Sequence, residues 1–403
     1  MAYNSMVHRR FDNGEWHPRH PDLRSLSERH FMHRVCISST GLYVPPHIIS
    51  NAELVDTFNR YADLHNTEHA TEIAAGSRAA VPYSSVEFIE KASGIQQRYV
   101  VEKSGVLDPT RMRPRLTPRP DSEISLMAEI SVAAAQDALQ RAGKTAADVD
   151  GVICAAANMQ RAYPAMAVEI QQALGITGFG FDMNVACSSA TFGIEMAVNA
   201  VRSGSARAVL VVNPEITSPH LAWKDRDCHF IFGDVCTAIL VERQDTAPAG
   251  AFEVLGTKLV TSFSNNIRNN AGFMSRSEDR NPEDRDQLFY QEGRKVFKEV
   301  CPMAAEHISN HLATLDLAPS GVRRFWLHQA NLAMNQLIGR RLLGRDATAD
   351  DAPVILNEFA NTASAGSIIA FHRHHNDIAA GEVGVICSFG AGYSIGSVVL
   401  RRL

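Results

Sequence analysis

The sequence has few cysteines, and none of them are paired by spacing. Seven are scattered singly through 403 residues, and no Cys-x-x-Cys motif occurs. An odd, dispersed set argues against a disulfide framework and against a structural zinc site, and it favours a reducing compartment. We therefore expect a cytoplasmic protein without a metal centre.

Long apolar runs and a strong excess of one charge are missing as well. No stretch reaches the length of a membrane span, and the polar, charged N-terminal segment does not resemble a signal peptide. The net charge of −5 gives no general attraction for nucleic acid or for an anionic membrane surface. These absences predict a globular protein with no nucleic-acid partner and no membrane insertion.

Short β-branched runs and amphipathic helical stretches alternate through most of the chain. Such alternation is typical of an α/β fold, in which helices cover both faces of largely parallel sheets. The pattern occurs twice, over residues 32–245 and 246–403, and suggests an internal duplication. Residues 1–31 are polar, rich in His and Arg and without periodicity, and we expect them to form a flexible arm.

Two long stretches interrupt this alternation, at residues 59–85 and 101–123. They are either variable surface loops or a cap beside a binding site, since long loops are often functional. The sequence does not decide between the two.

One cysteine stands where chemistry is expected. In "FGFDMNVACSSATFGIEMAV", Cys187 follows a strand and precedes a helix. The partial positive charge of a helix N-terminus lowers a thiol pKa, and the free N–H groups there can hold an oxyanion. The alternative is a buried, inert cysteine, which is the commoner role of this residue type.

His328 in "FWLHQANLAM" and Asn361 in "NEFANTASAGS" occur in similar surroundings. Taken singly, the histidine is a core residue and the asparagine a helix cap. In all three motifs, however, the reactive side chain is predicted to lie between a strand and the helix that follows it. Together they form the Cys/His/Asn set used in thioester chemistry, which outweighs the three separate alternatives.

The C-terminal "CSFGAGYSIGS" is rich in glycine without being a dinucleotide motif. Its glycine spacing differs from that fingerprint, and too few residues follow for the βαβ unit that the motif requires. We interpret it as a tight loop that brings backbone N–H groups close to a ligand, and we expect no redox cofactor.

These motifs carry a family resemblance over about residues 32–403. "NVACSSATFGIEMA", "LHQAN", "ANTASAGS", "FGD" and "FGAGYSIGS" resemble a β-ketoacyl-acyl-carrier-protein synthase III, a condensing enzyme of the thiolase superfamily. The resemblance implies a five-layer αβαβα fold of two similar halves and a homodimer. The halves would be residues 32–245, with the cysteine and both long stretches, and residues 246–403, with the histidine and asparagine.

The resemblance also implies a reaction in fatty acid biosynthesis without a cofactor. An acyl-CoA would transfer its acyl group to Cys187, and malonyl-acyl carrier protein would then lose carbon dioxide and condense with it. His328 and Asn361 would hold the thioester carbonyl of this second substrate. The backbone N–H groups of Cys187 and Ala391 would hold the oxyanion of the acyl step, although the family usually has glycine at the latter position.

Other roles implied by the resemblance are less specific, since each residue could equally be a surface or packing residue. Phe88 and Arg226 would clamp the CoA adenine. Tyr163 would reach into the acyl pocket of a partner subunit. Arg340 and Arg341 would dock the acidic carrier protein.

The chain departs from the family at two positions, where Ala92 and Ala333 replace frequent arginines. Their contacts with phosphate or carrier protein would be weaker, or would shift to Lys91 and Arg340. The two long stretches are absent from short members that start from acetyl-CoA. We therefore hypothesise a longer, medium-chain acyl-CoA primer.

Three other functions share some of these features. A thiolase would use a second cysteine as base, and Cys387 lies one residue from the expected spacing. A condensing enzyme for quinolones, alkenes or polyketides would have the same three residues. A non-catalytic module that binds carrier protein would not need an intact Cys/His/Asn set.

Overall fold

The computed structural model describes residues 32–403, and the predicted arm over residues 1–31 lies outside this part of the chain. No helix within the described range is both long and apolar enough to cross a membrane. The strands are β1 (Val35–Tyr43), β2 (His47–Ser50), β3 (Gln97–Val100), β4 (Gly151–Ala155), β5 (Phe179–Met183), β6 (Ala208–Glu215), β7 (Val235–Arg243), β8 (Phe252–Ser264), β9 (Ile267–Arg268), β10 (Tyr290–Gln291), β11 (Arg324–Leu327), β12 (Val383–Gly390) and β13 (Gly392–Arg402). The helices are α1 (Asn51–Glu68), α2 (Ala70–Ala74), α3 (Val86–Ser93), α4 (Leu126–Ala142), α5 (Met166–Leu174), α6 (Ser189–Arg202), α7 (Gly293–Ala313), α8 (Leu332–Leu343), α9 (Leu356–Phe359) and α10 (Gly366–Arg373).

The main sheet consists of two parts with the same strand pattern. Its order is β11-β12-β13-β8-β1-β7-β6-β4-β5. In the first part, β1 pairs antiparallel with β7, β7 antiparallel with β6, and β6 parallel with β4. In the second part, β8, β13, β12 and β11 repeat these three pairings in the same sequence. The two parts meet where β1 pairs with β8, and the repeated pattern confirms two similar halves.

Three apolar clusters arrange the helices in layers around the two parts of the sheet. Helices α4 and α5 pack on the outer face of the first part, and α7 and α8 on the outer face of the second. Helices α6 and α10 lie between the two parts, in a central cluster to which both contribute. The stacking is α–β–α–β–α, which confirms the five-layer fold.

Polar side chains and glycines set the ends of the helices that shape the site. The Ser125 hydroxyl accepts from the N–H of Ala128 at the start of α4, and the Asn331 side chain accepts from the N–H of Ala333 at the start of α8. The two helices end at Gly143 and Gly344, with φ values of 65° and 69°. Left-handed backbone of this kind favours glycine at a helix end.

A fourth apolar cluster lies over the sheet end where the reactive residues are expected. It contains side chains from both long interruptions of the α/β pattern, together with Phe230, Phe232 and Phe289. The contributing residues of the interruptions are Tyr61, Val81, Val106, Leu107 and Met112. These side chains pack into the cluster, whereas most of residues 59–85 and all of residues 115–123 are exposed, and no residue of either interruption lines the Cys187 cavity. The role of the two interruptions as a cap stays a prediction.

Candidate active site

Cys187, His328 and Asn361 line one cavity of about 740 Å³. Cys187 lies between β5 and α6, and His328 directly follows β11, as the sequence predicts. Asn361 differs, because it follows the short helix α9 instead of a strand, and its backbone forms an isolated parallel bridge with Phe232. The fold nevertheless brings all three predicted side chains together.

Cys187 is the middle residue of a three-residue 3₁₀ segment, the Cys187 turn (residues 186–188). The turn begins at Ala186, whose φ of 45° is unusual for a residue with a side chain. Local hydrogen bonds hold it there. The Ala186 N–H donates to Asn184 Oδ1 at 2.9 Å, and the Ser189 hydroxyl donates to the Ala186 carbonyl at 2.7 Å.

The protonation of Cys187 differs from the prediction. Although its side chain is partly exposed toward the cavity, burial raises the pKa of the thiol to about 12, and the nearby Glu215 carboxylate also raises it. The backbone N–H of Cys187 acts in the opposite direction. The predicted lowering of the pKa is therefore wrong for the free protein, because loss of water outweighs the favourable dipole at the start of α6. The thiol is neutral and must give up its proton as it reacts.

The glycine loop between β12 and β13 lies directly against the nucleophile. A Cβ atom built on Gly390 would lie 2.6 Å from the Cβ of Cys187 and 3.2 Å from its Sγ, so no side chain fits at this position. Ala391 follows at once and is not among the described non-glycine residues with positive φ. An alanine is therefore compatible with the backbone at the predicted oxyanion position.

His328 is a buried, neutral histidine. Burial lowers its pKa to about 3, its ring meets Phe389 edge to face at 5.1 Å between centroids, and its backbone N–H donates to the Cys387 carbonyl at 2.8 Å. Its Nδ1 has no hydrogen-bond partner within the described residues. A neutral imidazole donates one N–H, which is what a carbonyl or enolate oxygen requires.

Asn361 is held by its backbone, and its side-chain oxygen is already engaged. Its N–H donates to Ile231 at 2.9 Å and its carbonyl accepts from Gly233 at 3.1 Å. The Oδ1 atom accepts from the Ala363 N–H at 2.9 Å, which leaves the amide NH₂ group as the donor for a ligand. The following residues 363–365 form a second three-residue 3₁₀ segment, the Ser364 turn.

The comparisons with known proteins agree with this geometry. Residues 181–262 match the family model described as 3-oxoacyl-[acyl-carrier-protein (ACP)] synthase III, and residues 312–402 match the model of its C-terminal part. A β-ketodecanoyl-[acyl-carrier-protein] synthase from Pseudomonas aeruginosa is 59% identical over 349 residues, which cover 86% of this chain and 100% of that protein. The chain belongs to the 3-oxoacyl-acyl-carrier-protein synthase III family. It is therefore an acyl-transferring condensing enzyme.

Solved structures show the same fold at lower identity. The synthase III from Aquifex aeolicus superposes with a TM-score of 0.71 and 22% identity, covering 91% of this chain and 99% of that one. The priming β-ketosynthase of the R1128 polyketide pathway superposes with a TM-score of 0.72 and 23% identity, covering 92% of this chain and 96% of that one. Because a polyketide enzyme shares the fold equally well, the fold alone does not separate the two kinds of pathway.

Cys387 is not placed where the thiolase alternative requires a base. This thiol is fully buried within β12, burial raises its pKa, and it is not among the residues that line the Cys187 cavity.

Phe88 and Arg226 lie together, but not as a clamp. The centre of the Arg226 guanidinium is 3.7 Å from the Phe88 ring centroid, and its Nε donates to the Tyr83 carbonyl at 2.7 Å. Phe88 also lines the cavity. Because the two groups already stack on each other, a purine needs either the outer face of this stack or a displacement of Arg226. Their role in CoA binding stays a prediction.

The remaining predicted contacts lie on the surface. Tyr163 is 85% exposed. Arg340 and Arg341 lie in the last turn of α8, and Arg340 pairs with Asp346 at 2.6 Å. Their roles at a partner subunit and at carrier protein also stay predictions.

The sequence reasoning missed two groups of residues. Arg294 and Lys298 of α7 line the cavity together with Ala92 and Ala333. They are four positions apart in "GRKVFKEV", which places both on one face of a helix, so the sequence could have indicated a pair of cations there. The other omission is Glu215, an acidic residue at the end of the buried strand β6.

Proposed function

We propose that this synthase extends a medium-chain acyl-CoA primer by two carbons, using malonyl-acyl carrier protein, in fatty acid biosynthesis. The observation that carries the proposal is the convergence of Cys187, His328 and Asn361 on one cavity. The relative named β-ketodecanoyl-[acyl-carrier-protein] synthase supports the chain length, since a 3-oxodecanoyl product corresponds to an octanoyl primer.

The first step is acyl transfer to Cys187. The sulfur attacks the thioester carbonyl of the acyl-CoA, the bond between that carbon and the CoA sulfur breaks, and the thiol proton leaves with CoA. Negative charge develops on the carbonyl oxygen, and the backbone N–H groups of Cys187 and Ala391 would stabilise it. With a pKa of about 12 the thiol is neutral before the substrate binds, so its proton would leave during the attack.

The second step is decarboxylating condensation. The carboxylate of the malonyl group leaves as carbon dioxide, and its bonding electrons form an enolate whose oxygen would accept from His328 and from the Asn361 amide. The enolate carbon then attacks the acyl carbonyl, and the Cys187 sulfur departs. Two neutral donors in a dry site stabilise such an anion without a cofactor, and the lowered pKa keeps His328 neutral throughout the physiological range.

Cations at the cavity wall would bind the phosphate-bearing arms of both substrates. Arg294 and Lys298 share this wall with Ala92 and Ala333, so positive charge from α7 would replace the arginines that the family often has there. Ala333 and Arg340 are seven positions apart on α8, which places both on one face, with Arg340 farther from the cavity. We propose Arg340 and Arg341 as contacts for carrier protein, and a homodimer in which Tyr163 reaches the partner subunit.

A secondary-metabolite condensing enzyme is the second candidate. The polyketide priming synthase shares the fold at 23% identity, and a shared fold is compatible with either pathway. The 59% identity with the ketodecanoyl synthase supports the fatty acid pathway more strongly.

Primer length is tested by intact-mass spectrometry of the protein after incubation with acyl-CoAs from acetyl to dodecanoyl. We expect the fastest adduct formation near octanoyl, on the peptide that contains Cys187. A maximum at acetyl-CoA would contradict the medium-chain primer.

The acceptor is tested by supplying the acylated enzyme with malonyl carrier protein, malonyl-CoA or acetyl-CoA. We expect product and carbon dioxide with malonyl carrier protein. Condensation with acetyl-CoA would instead indicate a thiolase. Cys387→Ala is the matched control, and we expect it to retain both steps because this thiol lies outside the cavity.

A further inference from the structure

Glu215 is a buried carboxylate close to the site that the proposed reaction does not use. It is 1% exposed, and no Lys, Arg or His within residues 32–403 forms an ion pair with it. Its oxygens accept instead from neutral donors: the Ala157 N–H at 3.1 and 3.2 Å, the Ser364 N–H at 3.2 Å, and the Ser364 hydroxyl. A buried charge with neutral partners alone is costly, so its presence calls for an explanation.

The donors connect Glu215 to the turn that follows Asn361. Ser364 is the central residue of that turn, and three of the hydrogen bonds described for it end on Glu215 or on the neighbouring carbonyl of Ala155. The Ala363 N–H, at the start of the same turn, fixes the Asn361 side chain through Oδ1. Glu215 is thus two contacts away from the amide that faces the substrate.

The Cys187 turn depends less on this carboxylate. Hydroxyl groups within and beside the turn hold it. Ser189 Oγ accepts from the Val185 N–H at 2.8 Å and donates to the Ala186 carbonyl at 2.7 Å, and Ser188 donates to the Ser394 carbonyl at 3.0 Å. By hydrogen bonds within the described residues, Glu215 reaches it through Ala157, whose carbonyl accepts from Asn184 at 2.8 Å. The charge of Glu215 also acts on the Cys187 thiol, whose pKa it raises, but it does not hold the backbone of the turn. The two turns therefore differ in how much they rely on Glu215.

We infer that Glu215 is a positioning residue, which fixes the Ser364 turn and thereby the Asn361 amide, so that condensation depends on it more than acylation of Cys187 does. This inference rests on the proposed function, since it assigns Asn361 to the malonyl substrate. Buried carboxylates that accept several N–H and O–H bonds hold loops rigidly, and small displacements of a donor cost much of its effect on a transition state.

A Gln side chain separates the bonds from the charge. Oε1 accepts most of the hydrogen bonds, and Oε2 accepts only from Ala157. Glu215→Gln therefore keeps the acceptor for Ser364 and removes the negative charge. Glu215→Ala removes both, and Ser364→Ala removes the hydroxyl bond but keeps the N–H.

The experiment measures the two steps separately in the full-length protein. Acylation is followed by intact mass with octanoyl-CoA, and condensation by product formation when the pre-acylated enzyme meets malonyl carrier protein. We expect Glu215→Ala to slow condensation about a hundredfold while acylation changes by less than about threefold, as for a misplaced donor. We expect Glu215→Gln to recover most of the condensation rate, and retained acylation shows that the variants fold.

Equal losses in both steps would overturn the inference, and so would unchanged condensation in Glu215→Ala. If that variant does not fold, Ser364→Ala decides: slower condensation with normal acylation supports the inference, and normal condensation overturns it. Failure of the wild-type protein to acylate with any acyl-CoA is a different result, because it contradicts the proposed function and the inference with it.

Discussion

The two halves of the molecule build the same turn from different residues. The Cys187 turn precedes α6 and the Ser364 turn precedes α10, and these helices occupy equivalent places in the central layer. Each turn is a three-residue 3₁₀ segment that begins at an alanine with φ of 45°, Ala186 in one half and Ala363 in the other. The central residue is a cysteine in the first turn and a serine in the second.

The difference lies in what each central side chain meets. Cys187 faces the cavity, whereas Ser364 is fully buried and bonds to Glu215. A left-handed alanine costs about 1–2 kcal/mol, and both halves keep it. The same left-handed backbone geometry therefore has two roles. In the N-terminal half it presents the nucleophile, and in the C-terminal half it anchors the segment that carries Asn361.

The largest effect is expected when the first turn is made like the second. In Cys187→Ser a hydroxyl, a much weaker nucleophile than a thiol, replaces the sulfur without a change of shape. We expect acylation by octanoyl-CoA to fall by roughly a thousandfold or more, measured by intact mass. Adduct formation at the wild-type rate would show that another residue accepts the acyl group.

The next largest effect concerns the donor that the second half supplies. Asn361→Ala removes one of two donors to the enolate oxygen, so we expect condensation to slow about 100- to 1000-fold with acylation nearly unchanged. The measurement is the rate of carbon dioxide release from malonyl carrier protein. A parallel loss of acylation would mean that Asn361 serves both steps.

The sequence predicted the architecture and the three side chains that meet at the cavity, but not Arg294, Lys298 or Glu215. Cys187, His328 and Asn361 each stand at a junction of elements in distinctive motifs, and alternating patterns reveal an α/β duplication. What it could not supply was the tertiary environment. The pKa of Cys187 depends on burial and on Glu215, which lies 28 positions away along the chain, and no local pattern reports such a contact.

The backbone of the two turns was equally invisible in the sequence. Ala186 and Ala363 adopt left-handed angles that alanine ordinarily avoids, so local propensity points to the wrong conformation. The direct stacking of Arg226 on Phe88 was missed for a related reason, because a resemblance assigns neighbours but not the distance between them.

The third prediction concerns the close contact between the glycine loop of the C-terminal half and Cys187 of the N-terminal half. Gly390→Ala places a Cβ 2.6 Å from the Cβ of Cys187, so the loop or the turn must shift. We expect acylation to slow roughly tenfold to a hundredfold, corresponding to overpacking of about 1–3 kcal/mol. Gly381→Ala in the exposed connection before β12, where nothing lies within 4 Å, is the control for a general effect of alanine, although its φ of 87° adds strain. Wild-type acylation in Gly390→Ala would show that the loop can retreat freely.

The fourth test concerns the charge behind the Ser364 turn. Burial raises the pKa of Glu215 to about 7, and Asp234 raises it as well. The other titratable groups facing it are the thiols of Cys154, Cys187 and Cys236, whose pKa values burial raises. As the pH falls through about 7 the carboxylate is protonated and becomes neutral, as the side chain is in Glu215→Gln. We therefore expect condensation by pre-acylated enzyme to slow only by about threefold or less, toward the rate of that variant.

This decline in the condensation rate below about pH 7 should be absent in Glu215→Gln, because the Gln side chain does not titrate. His328 has a pKa of about 3, so its protonation does not cause a decline near pH 7. If the condensation rate of Glu215→Gln declined with falling pH as the wild-type rate does, the decline would come from another titratable group.

The smallest expected effect is a difference in acid stability between the outer helical layers of the two halves. On α7, His307 and His311 share the Ser397 hydroxyl at 2.9 and 2.7 Å, and burial lowers both pKa values to about 4. Helix α4, which occupies the corresponding place in the N-terminal half, carries no histidine. His372 of α10, whose pKa burial lowers to about 4, interacts with Asp137 and Arg141 of α4. Since an unfolded histidine has a pKa near 6.5, the unfolded state takes up protons first, and stability is lost as the pH falls from about 6.5 toward 4.

At about pH 5.5 we expect a loss of roughly 1 kcal/mol for each of His307 and His311, and we expect it to appear in the C-terminal half first. Hydrogen exchange should show amides of α7 losing protection on acidification before those of α4. His311→Gln keeps a polar partner for Ser397 and does not titrate, so it should reduce the difference between the two helices. Equal loss of protection in α4 and α7 would mean that the halves unfold as one unit, whatever the composition of their outer layers.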